Sequence, residues 1–384
     1  MSIGIPESAC LEQGEHLISM QMYGMLLGGI LWGILGDKKG RLSVLFGSIV
    51  MYSIANIANG FVQTIEEYAI WRFVAGVGLA GELGAGITLV SESMTKEKRG
   101  YGTMAIVSFG VLGGVMAAMV GSSVDWRVAY YIGGGMGLVL LLLRVGVFES
   151  GMYKSVRTKD VSRGNFFMLF NNKKRFYKYL QCITIGLPIW FLIGILVTFS
   201  PEFAKAIGVQ GIESPMAVGI FYASTSLGDF LSGFFSQIFK SRKKIVYAFL
   251  GLTAIGIPLY LFNQSDSPWV FYAICGFLGL AGGYWAIFVT IASEQFGTNL
   301  RATVTTTVPN FVRGFLPFLL IGFKFLRTSF SNSSNPLFAS SGGNPNPNII
   351  IYSALIIGCA TLLIAFYAVG HMDETYAKDL DYSE

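Results

Sequence analysis

Long apolar stretches alternate with short polar ones along the whole chain. Eleven of the apolar stretches contain about 18 to 25 residues, the length that a helix needs to cross a bilayer. They are continuous and do not alternate every second residue, which excludes a transmembrane β-barrel. The pattern predicts an all-α membrane protein with spans near 20–36, 42–61, 68–90, 101–121, 127–147, 179–200, 214–238, 245–262, 268–291, 302–325 and 348–370.

A basic stretch between the fifth and sixth spans divides the chain into two halves. It runs over residues 148–178 and carries eight lysines and arginines. The sequence therefore predicts five regions, which are an external loop at 1–19, an N-terminal bundle at 20–147, this central cytoplasmic loop, a C-terminal bundle at 179–370 and a cytoplasmic tail at 371–384.

The loop charges predict an orientation in the cell membrane. Lysines and arginines fall on alternate loops and so share one side, whereas acidic residues lead the opposite loops. By the positive-inside rule the basic side is cytoplasmic, which places the C-terminal tail inside and residue 1 outside. The basic loops outside the central one carry Lys38, Lys39, Arg41, Lys96, Lys98, Arg99, Lys240, Arg242, Lys243 and Lys244.

Composition supports a lipid environment and excludes several other classes. Of the 384 residues 53% are hydrophobic and only 13% charged, against about 25% charged residues in soluble domains. The net charge of +5 is concentrated in a few loops, which argues against nucleic-acid binding. Two histidines and four scattered cysteines form no metal-ligand pattern. We expect a monomer in the bilayer with no metal, cofactor, ATP site or enzymatic activity.

The loop at residues 33–42 carries the most specific motif. It reads Gly-Ile-Leu-Gly-Asp-Lys-Lys-Gly-Arg-Leu and resembles the signature G-x-x-x-D-[RK]-x-G-R-[RK] of the major facilitator superfamily. Gly33, Asp37, Lys38, Gly40 and Arg41 match the signature, whereas residue 42, a leucine, departs from it. Glycines at this spacing allow close helix packing, and the cations remain at the cytoplasmic surface.

Two further patterns resemble branches of the same superfamily. Glu92 precedes Arg99, and Glu294 precedes Arg301, by seven residues at corresponding loops of the two halves. This resembles the E-x6-R signature of sugar porters, although residue 297 is glycine where the second copy has proline. The run from Arg72 to Gly84 is similar to a helix-four pattern of solute:proton symporters. Its G-x-G-x-x-G letters do not indicate a dinucleotide site, because no strand precedes them.

The resemblance implies a fold, an activity and a cytoplasmic latch. Members have two helical bundles related by a pseudo-two-fold axis and transport solutes by alternating access. Their signature loop normally follows the second of about twelve helices, so we expect this chain to lack the first. Their loop charges hold the outward-open state, and the alternative is solvated charges without energetic consequence. The corresponding residues are Asp37, Lys38, Arg41, Glu92, Arg99, Glu294, Arg301 and, in a degenerate second copy of the loop, Arg242.

Charged and aromatic residues inside the spans are the candidates for transport chemistry. A charge at the bilayer centre costs on the order of 3 kcal/mol, so it faces a partner or a watery cavity. Glu82, with Asp229 as second choice, is the candidate for proton coupling. An alternative is that these charges only tie helices together and that the aromatics only pack. The candidates for substrate binding are Arg72, Gln181, Trp190, Tyr284, Trp285, Asn310 and Arg313.

The sequence predicts a secondary active transporter of a small organic solute, coupled to protons. The two arginines favour an organic acid, and the E-x6-R loops favour a sugar. A second hypothesis is a membrane protein without transport activity, a truncated relative with a sensor or scaffold role.

Overall fold

The computed structural model describes residues 10–95, 98–143, 164–339 and 346–379. Within these ranges the regular elements are helices, and no strand is present. The predicted all-α class is therefore confirmed. Residues 148–163 of the predicted central loop lie outside the described residues, as do 1–9, 96–97, 144–147, 340–345 and 380–384.

The N-terminal half consists of five long helices. Gly40, at φ 104°, separates the first two, a backbone conformation that favours glycine. Thr64 begins the third with a capping box, in which its hydroxyl accepts from the Glu67 N–H and the Glu67 carboxylate reaches back. The helices are α1 (Cys10–Lys39), α2 (Arg41–Asn59), α3 (Ile65–Ser93), α4 (Arg99–Ser123) and α5 (Trp126–Leu143).

The C-terminal half is built from shorter helices because several of its spans are broken. Pro188 lies near the first break, which a π-helical turn at Leu192–Val197 follows. The helices are α6 (Lys173–Ile185), α7 (Leu187–Phe191), α8 (Ser200–Ala206), α9 (Ser214–Ile238), α10 (Arg242–Leu261), α11 (Pro268–Gly282), α12 (Trp285–Gln295), α13 (Arg301–Gly314), α14 (Leu316–Ser331) and α15 (Pro347–His371).

Ten helical stretches of the described residues are long and apolar enough to cross a membrane. The one predicted span that is not among those ten, at residues 214–238, is present as α9, a helix of 25 residues. Its serines, threonine and Asp229 lower its hydropathy, and several of them are buried against other helices. A polar span of this kind is stabilised by packing within the protein rather than by contact with lipid.

Two helices extend beyond the spans that the sequence predicts. Residues 10–19, expected in an external loop, belong to α1, and Glu15 there lies 4.0 Å from Arg327 of α14. Residues 173–178, expected in the central loop, form the first turns of α6. Asn172 starts that helix by accepting from the N–H groups of Lys174 and Arg175. The extension of α6 thus begins at a capping residue, and the extension of α1 carries an ion pair to α14.

The two halves contact each other through glycines on α1 and α3. A Cβ atom at Gly33 would lie 3.0 Å from the Cα of Thr303 on α13, and one at Gly36 would lie 3.2 Å from the Cβ of Ala302. A Cβ at Gly84 would lie 2.5 Å from the Cα of Thr306. Small residues therefore allow the backbones of the two halves to approach directly.

Candidate functional sites: a central cavity and a buried ion-pair cluster

A cavity of about 1260 Å³ lies between the halves, and a smaller one of about 370 Å³ shares part of its wall. Both volumes fall near the range of small-molecule sites. Polar and aromatic side chains from both halves converge on an otherwise apolar lining. The larger cavity is lined by, among others, Gln21, Arg72, Glu82, Tyr222, Trp285 and Arg313.

Arg313 lies between two tryptophans in the smaller cavity. Its guanidinium carbon is 5.6 Å from the ring centroid of Trp190 and 5.3 Å from that of Trp285. The two rings are 6.4 Å apart, edge to face. Cation–π contacts of this kind hold a guanidinium in place while its N–H donors remain able to bind an anion.

Asn310 positions this arginine from one turn away. Its amide nitrogen donates to the carbonyls of Ala80, at 2.8 Å, and Thr306, at 2.7 Å, and so bridges α13 to α3 of the other half. Its oxygen accepts from Nη1 of Arg313 at 3.3 Å. The predicted neighbours Asn310 and Arg313 therefore lie together, and Asn310 orients the arginine.

The tryptophans occupy their positions because the spans that carry them are broken. Trp190 follows Pro188 in the short helix α7, and Trp285 is the first residue of α12, directly after the break at Gly283 and Tyr284. π-helical turns and breaks of this type are frequent at functional sites.

Arg72 and Glu82 line the larger cavity from α3, separated by ten residues and so by about 15 Å along the helix. Arg72 donates from Nη1 to the Tyr130 hydroxyl at 2.9 Å, and that hydroxyl lies 2.7 Å from that of Tyr68. Glu82 is half-buried. The cavity thus contains two cations and one carboxylate from the candidate set.

Three substrate-binding candidates line neither cavity: Gln181, Tyr284 and Asn310, the last of which contacts Arg313. Tyr284 is fully buried, and its hydroxyl donates to the Ile185 carbonyl at 2.9 Å, where α6 ends. Gln181 lies on α6 away from both linings. Tyr284 therefore satisfies a carbonyl freed by a helix break, a role that its aromatic character alone did not reveal.

Most of the predicted latch residues meet at one end of the molecule, which we call the basic end. Glu92 accepts through Oε1 from Arg41, at 2.8 Å, and from Arg301 of the other half, at 3.3 Å. Exposure is 1% for Arg41, 5% for Glu92 and 0% for Arg301. The interpretation of these residues as solvated loop charges is therefore wrong, because close packing of the halves removes them from water.

Asp37 caps a helix of the opposite half. Its carboxylate accepts from the backbone N–H groups of Ala302, at 3.2 Å, and Thr303, at 2.8 Å, and from the Thr303 hydroxyl at 2.6 Å. These donors lie in the first turn of α13, which has no side-chain cap from Leu300. A buried carboxylate at a helix N-terminus compensates free N–H groups and the helix dipole.

The second half repeats part of this arrangement. Arg242 lies 3.3 Å from Glu294 and donates to the Ser236 hydroxyl at 2.6 Å. Arg99 donates to the carbonyl of Lys378 at 3.2 Å, which connects α4 to the C-terminal tail. Lys38 is exposed. We use the name basic-end cluster for Asp37, Arg41, Glu92, Arg99, Arg242, Glu294 and Arg301.

Sequence reasoning missed Glu374, which lies after α15. Its carboxylate accepts from the Ser241 hydroxyl at 2.5 Å and from the Arg242 N–H at 2.9 Å, at the start of α10. Burial alone would raise the pKa of Glu374, but these hydrogen bonds and those from the N–H groups of Thr375 and Tyr376 outweigh it, and the pKa lies below its usual value. An acidic residue shortly after the last span was the only sequence signal.

Several transport proteins are about a quarter identical to this chain over most of its length. The putative niacin/nicotinamide transporter NiaP of Bacillus subtilis (strain 168) is 28% identical over 330 residues, which cover 81% of this chain and 79% of that protein. The cis,cis-muconate transport protein of Acinetobacter baylyi is 26% identical over 299 residues, covering 74% and 71%. The benzoate transport protein of the same organism is 23% identical over 327 residues, covering 74% and 69%.

The fold has a counterpart among solved structures. The proton:xylose symporter XylE bound to 6-bromo-6-deoxy-D-glucose matches with a TM-score of 0.74 at 18% identity, over 99% of this chain and 90% of that chain. At this identity the likeness shows the fold alone. The sequence model of the Major Facilitator Superfamily matches residues 11–320. Because that match covers well over half of the chain, the protein belongs to the major facilitator superfamily.

Proposed function

We propose that this integral membrane protein is a secondary active transporter of small organic anions that carry a carboxylate on a flat, unsaturated body. The observation that carries the proposal is Arg313 held between Trp190 and Trp285 at a cavity between the two halves. The cation would bind the carboxylate, and the ring faces would contact the body of the substrate. The benzoate and cis,cis-muconate transport proteins that resemble this chain are named for compounds of that description, and the putative niacin/nicotinamide transporter is named for one such acid and its neutral amide.

Alternating access is the proposed mechanism. The halves are joined by the basic-end cluster, which we infer to be the cytoplasmic end, so this conformation corresponds to an outward-facing state. Opening that end requires Glu92 to part from Arg301 and Asp37 to release α13. All residues of the proposed site belong to one chain, so we propose that a monomer is sufficient.

Nicotinate and nicotinamide provide a direct test of the anion proposal, because they share a ring and differ in the carboxylate. In proteoliposomes containing the purified protein and an inward proton gradient, we expect nicotinate to be accumulated and nicotinamide to enter at the rate of protein-free vesicles. Benzoate and cis,cis-muconate extend the series, and xylose serves as a neutral sugar. Equal uptake of nicotinate and nicotinamide, or uptake of xylose alone, would contradict the proposal; no uptake of any probe would favour a non-transporting role.

Replacing Arg313 with lysine tests the residue itself. Lysine keeps the charge but loses the planar pair of donors and the stacking between the tryptophans. We expect the apparent KM for nicotinate to rise about tenfold, the effect of losing roughly 1.4 kcal/mol of binding energy, with a smaller change in maximal rate. Arg327→Lys is the matched control, because Arg327 lies on the neighbouring α14 outside both cavities. An unchanged KM in Arg313→Lys would remove this residue from the site.

The orientation is tested by single cysteines in a background without the native ones. A cysteine at the exposed position Lys39, at the basic end, should resist a membrane-impermeant thiol reagent in intact cells. One at the exposed Ser334, after α14, should react. Both should react after the membrane is permeabilised. The opposite labelling pattern would place the basic end outside.

A further inference from the structure

Asp229 is a buried carboxylate of α9 that lines neither cavity. Its Oδ1 accepts from the backbone N–H of Ala286 at 2.8 Å. Ala286 is the second residue of α12, and the residue before that helix, Tyr284, provides no side-chain cap. Asp229 therefore caps, from another helix, the half-helix whose first residue is Trp285.

The break before α12 is held on its other side as well. The Thr225 hydroxyl of α9 lies 3.0 Å from the Gly279 carbonyl, and the Thr253 hydroxyl of α10 lies 3.4 Å from the Ala281 carbonyl. These carbonyls belong to the last turn of α11, whose continuation the break interrupts. Backbone N–H and carbonyl groups on both sides of the break are therefore hydrogen-bonded by side chains of neighbouring helices. Within a membrane such groups need a partner in the protein, because no water is present to bind them.

Close backbone contact adds to this constraint. A Cβ atom at Gly283 would lie 2.7 Å from the backbone nitrogen of Asp229, and one at Gly228 would lie 2.5 Å from the Leu280 carbonyl oxygen. The start of α12 has little room to shift along α9 while the cap is in place. Trp285, only 6% exposed, projects from that first turn to within 5.3 Å of Arg313.

We propose that Asp229 is a positioning residue for substrate binding. By capping α12 it fixes Trp285, and through Trp285 it fixes the wall of the pocket beside Arg313. This inference rests on the proposed function, because it names the residue that holds the proposed site in shape. In this role Asp229 supports substrate binding by accepting the hydrogen bond from Ala286. Transport does not require Asp229 to take up and release a proton.

Two substitutions separate these roles. Asn keeps an acceptor oxygen and caps helices about as well as Asp, whereas Ala removes the cap. With nicotinate as the probe in proteoliposomes, Asp229→Ala should raise the apparent KM about tenfold, as expected for loss of one hydrogen bond to a charged group, with little change in maximal rate. Asp229→Asn should stay near the wild type and still accumulate nicotinate under a proton gradient. Ser232→Ala, which removes only a bond within α9, should match the wild type.

A second readout needs no ligand. Acrylamide quenching of Trp285, taken as the difference between each protein and its Trp285→Phe version, should increase in Asp229→Ala and remain at the wild-type level in Asp229→Asn. If Asp229→Asn no longer accumulates nicotinate under a proton gradient, the carboxyl has a proton role and the inference is wrong. Unchanged quenching in Asp229→Ala would also overturn it. If the wild type handles no probe at all, the transport proposal fails, and the quenching comparison still decides the role of the cap.

Discussion

Glu92→Gln is expected to open the basic end of the protein. Glu92 accepts from Arg41 and Arg301, and all three side chains are almost completely buried. Glutamine retains the shape and one oxygen acceptor but removes the charge that balances two guanidinium groups. Removing one partner from a buried ion pair costs about 3–5 kcal/mol, because the remaining charge stays out of water. That cost applies only while the halves are together.

The equilibrium between the conformation with a closed basic end and the one with an open basic end should shift towards the open one. A penalty of about 3 kcal/mol on the closed basic end corresponds to more than a hundredfold change in population ratio. Spin labels at the exposed positions Lys39 and Phe239, one in each half, should report a longer distance in Glu92→Gln than in the wild-type background. Nicotinate uptake should slow, because the protein returns less often to the outward-facing state.

The matched control is the double variant Glu92→Gln with Arg301→Leu. It removes one of the two cations whose ion pair with Glu92 the single variant breaks, so it should recover part of the closed population relative to that variant. An additive or larger opening in the double variant would show that the Glu92–Arg301 contact does not hold the closed state. An unchanged label distance in Glu92→Gln would show the same for the whole triad.

The positions of the spans could be predicted from hydropathy because lipid imposes one length and one polarity on every membrane helix. Two helices extend past these apolar stretches, and hydropathy does not account for the extensions. Asn172 caps α6 within a basic stretch, and Glu15 lies on a helical extension of α1 towards Arg327. These effects depend on single residues and on partners far away in the sequence. Hydropathy averaged over a window of residues does not detect them.

The charges of the basic-end cluster could be selected by their resemblance to loop motifs, but their partners could not. Glu92 bonds Arg41, 51 residues away, and Arg301, 209 residues away. Asp37 bonds mainly the backbone of α13 rather than a cation. A motif identifies residue types at a spacing, whereas pairing across the halves depends on how the bundles pack.

For the substrate-binding candidates, too, the sequence alone does not reveal which side chains contact each other. Tyr284 and Trp285 are neighbours, and sequence gave no reason to prefer either. The break at Gly283 places Trp285 beside Arg313. Tyr284 is buried instead, and its hydroxyl donates to the Ile185 carbonyl. The one-turn spacing of Asn310 and Arg313, by contrast, was readable, because residues three apart on a helix share a face.

Glu82→Gln is expected to separate exchange from accumulation. Glu82 is the only acidic residue among the described ones that line the larger cavity, and it shares that cavity with Arg72 and Arg313. We propose that Glu82 is the group that carries the coupled proton from the outside to the inside during transport. Glutamine resembles the protonated carboxyl in size and polarity but cannot release a proton.

In proteoliposomes, Glu82→Gln should therefore lose pH-driven accumulation of nicotinate, while exchange of labelled for unlabelled nicotinate between equal pools continues at near the wild-type rate. Exchange needs the binding site and alternating access but no net proton movement, so it controls for folding and substrate binding. Glu202→Gln is the matched carboxylate control, since Glu202 lies on α8 outside both cavities. If Glu82→Gln still concentrates nicotinate against its gradient, Glu82 only supports the helix packing, and the proton is carried elsewhere. Loss of exchange together with accumulation would instead place Glu82 in substrate binding.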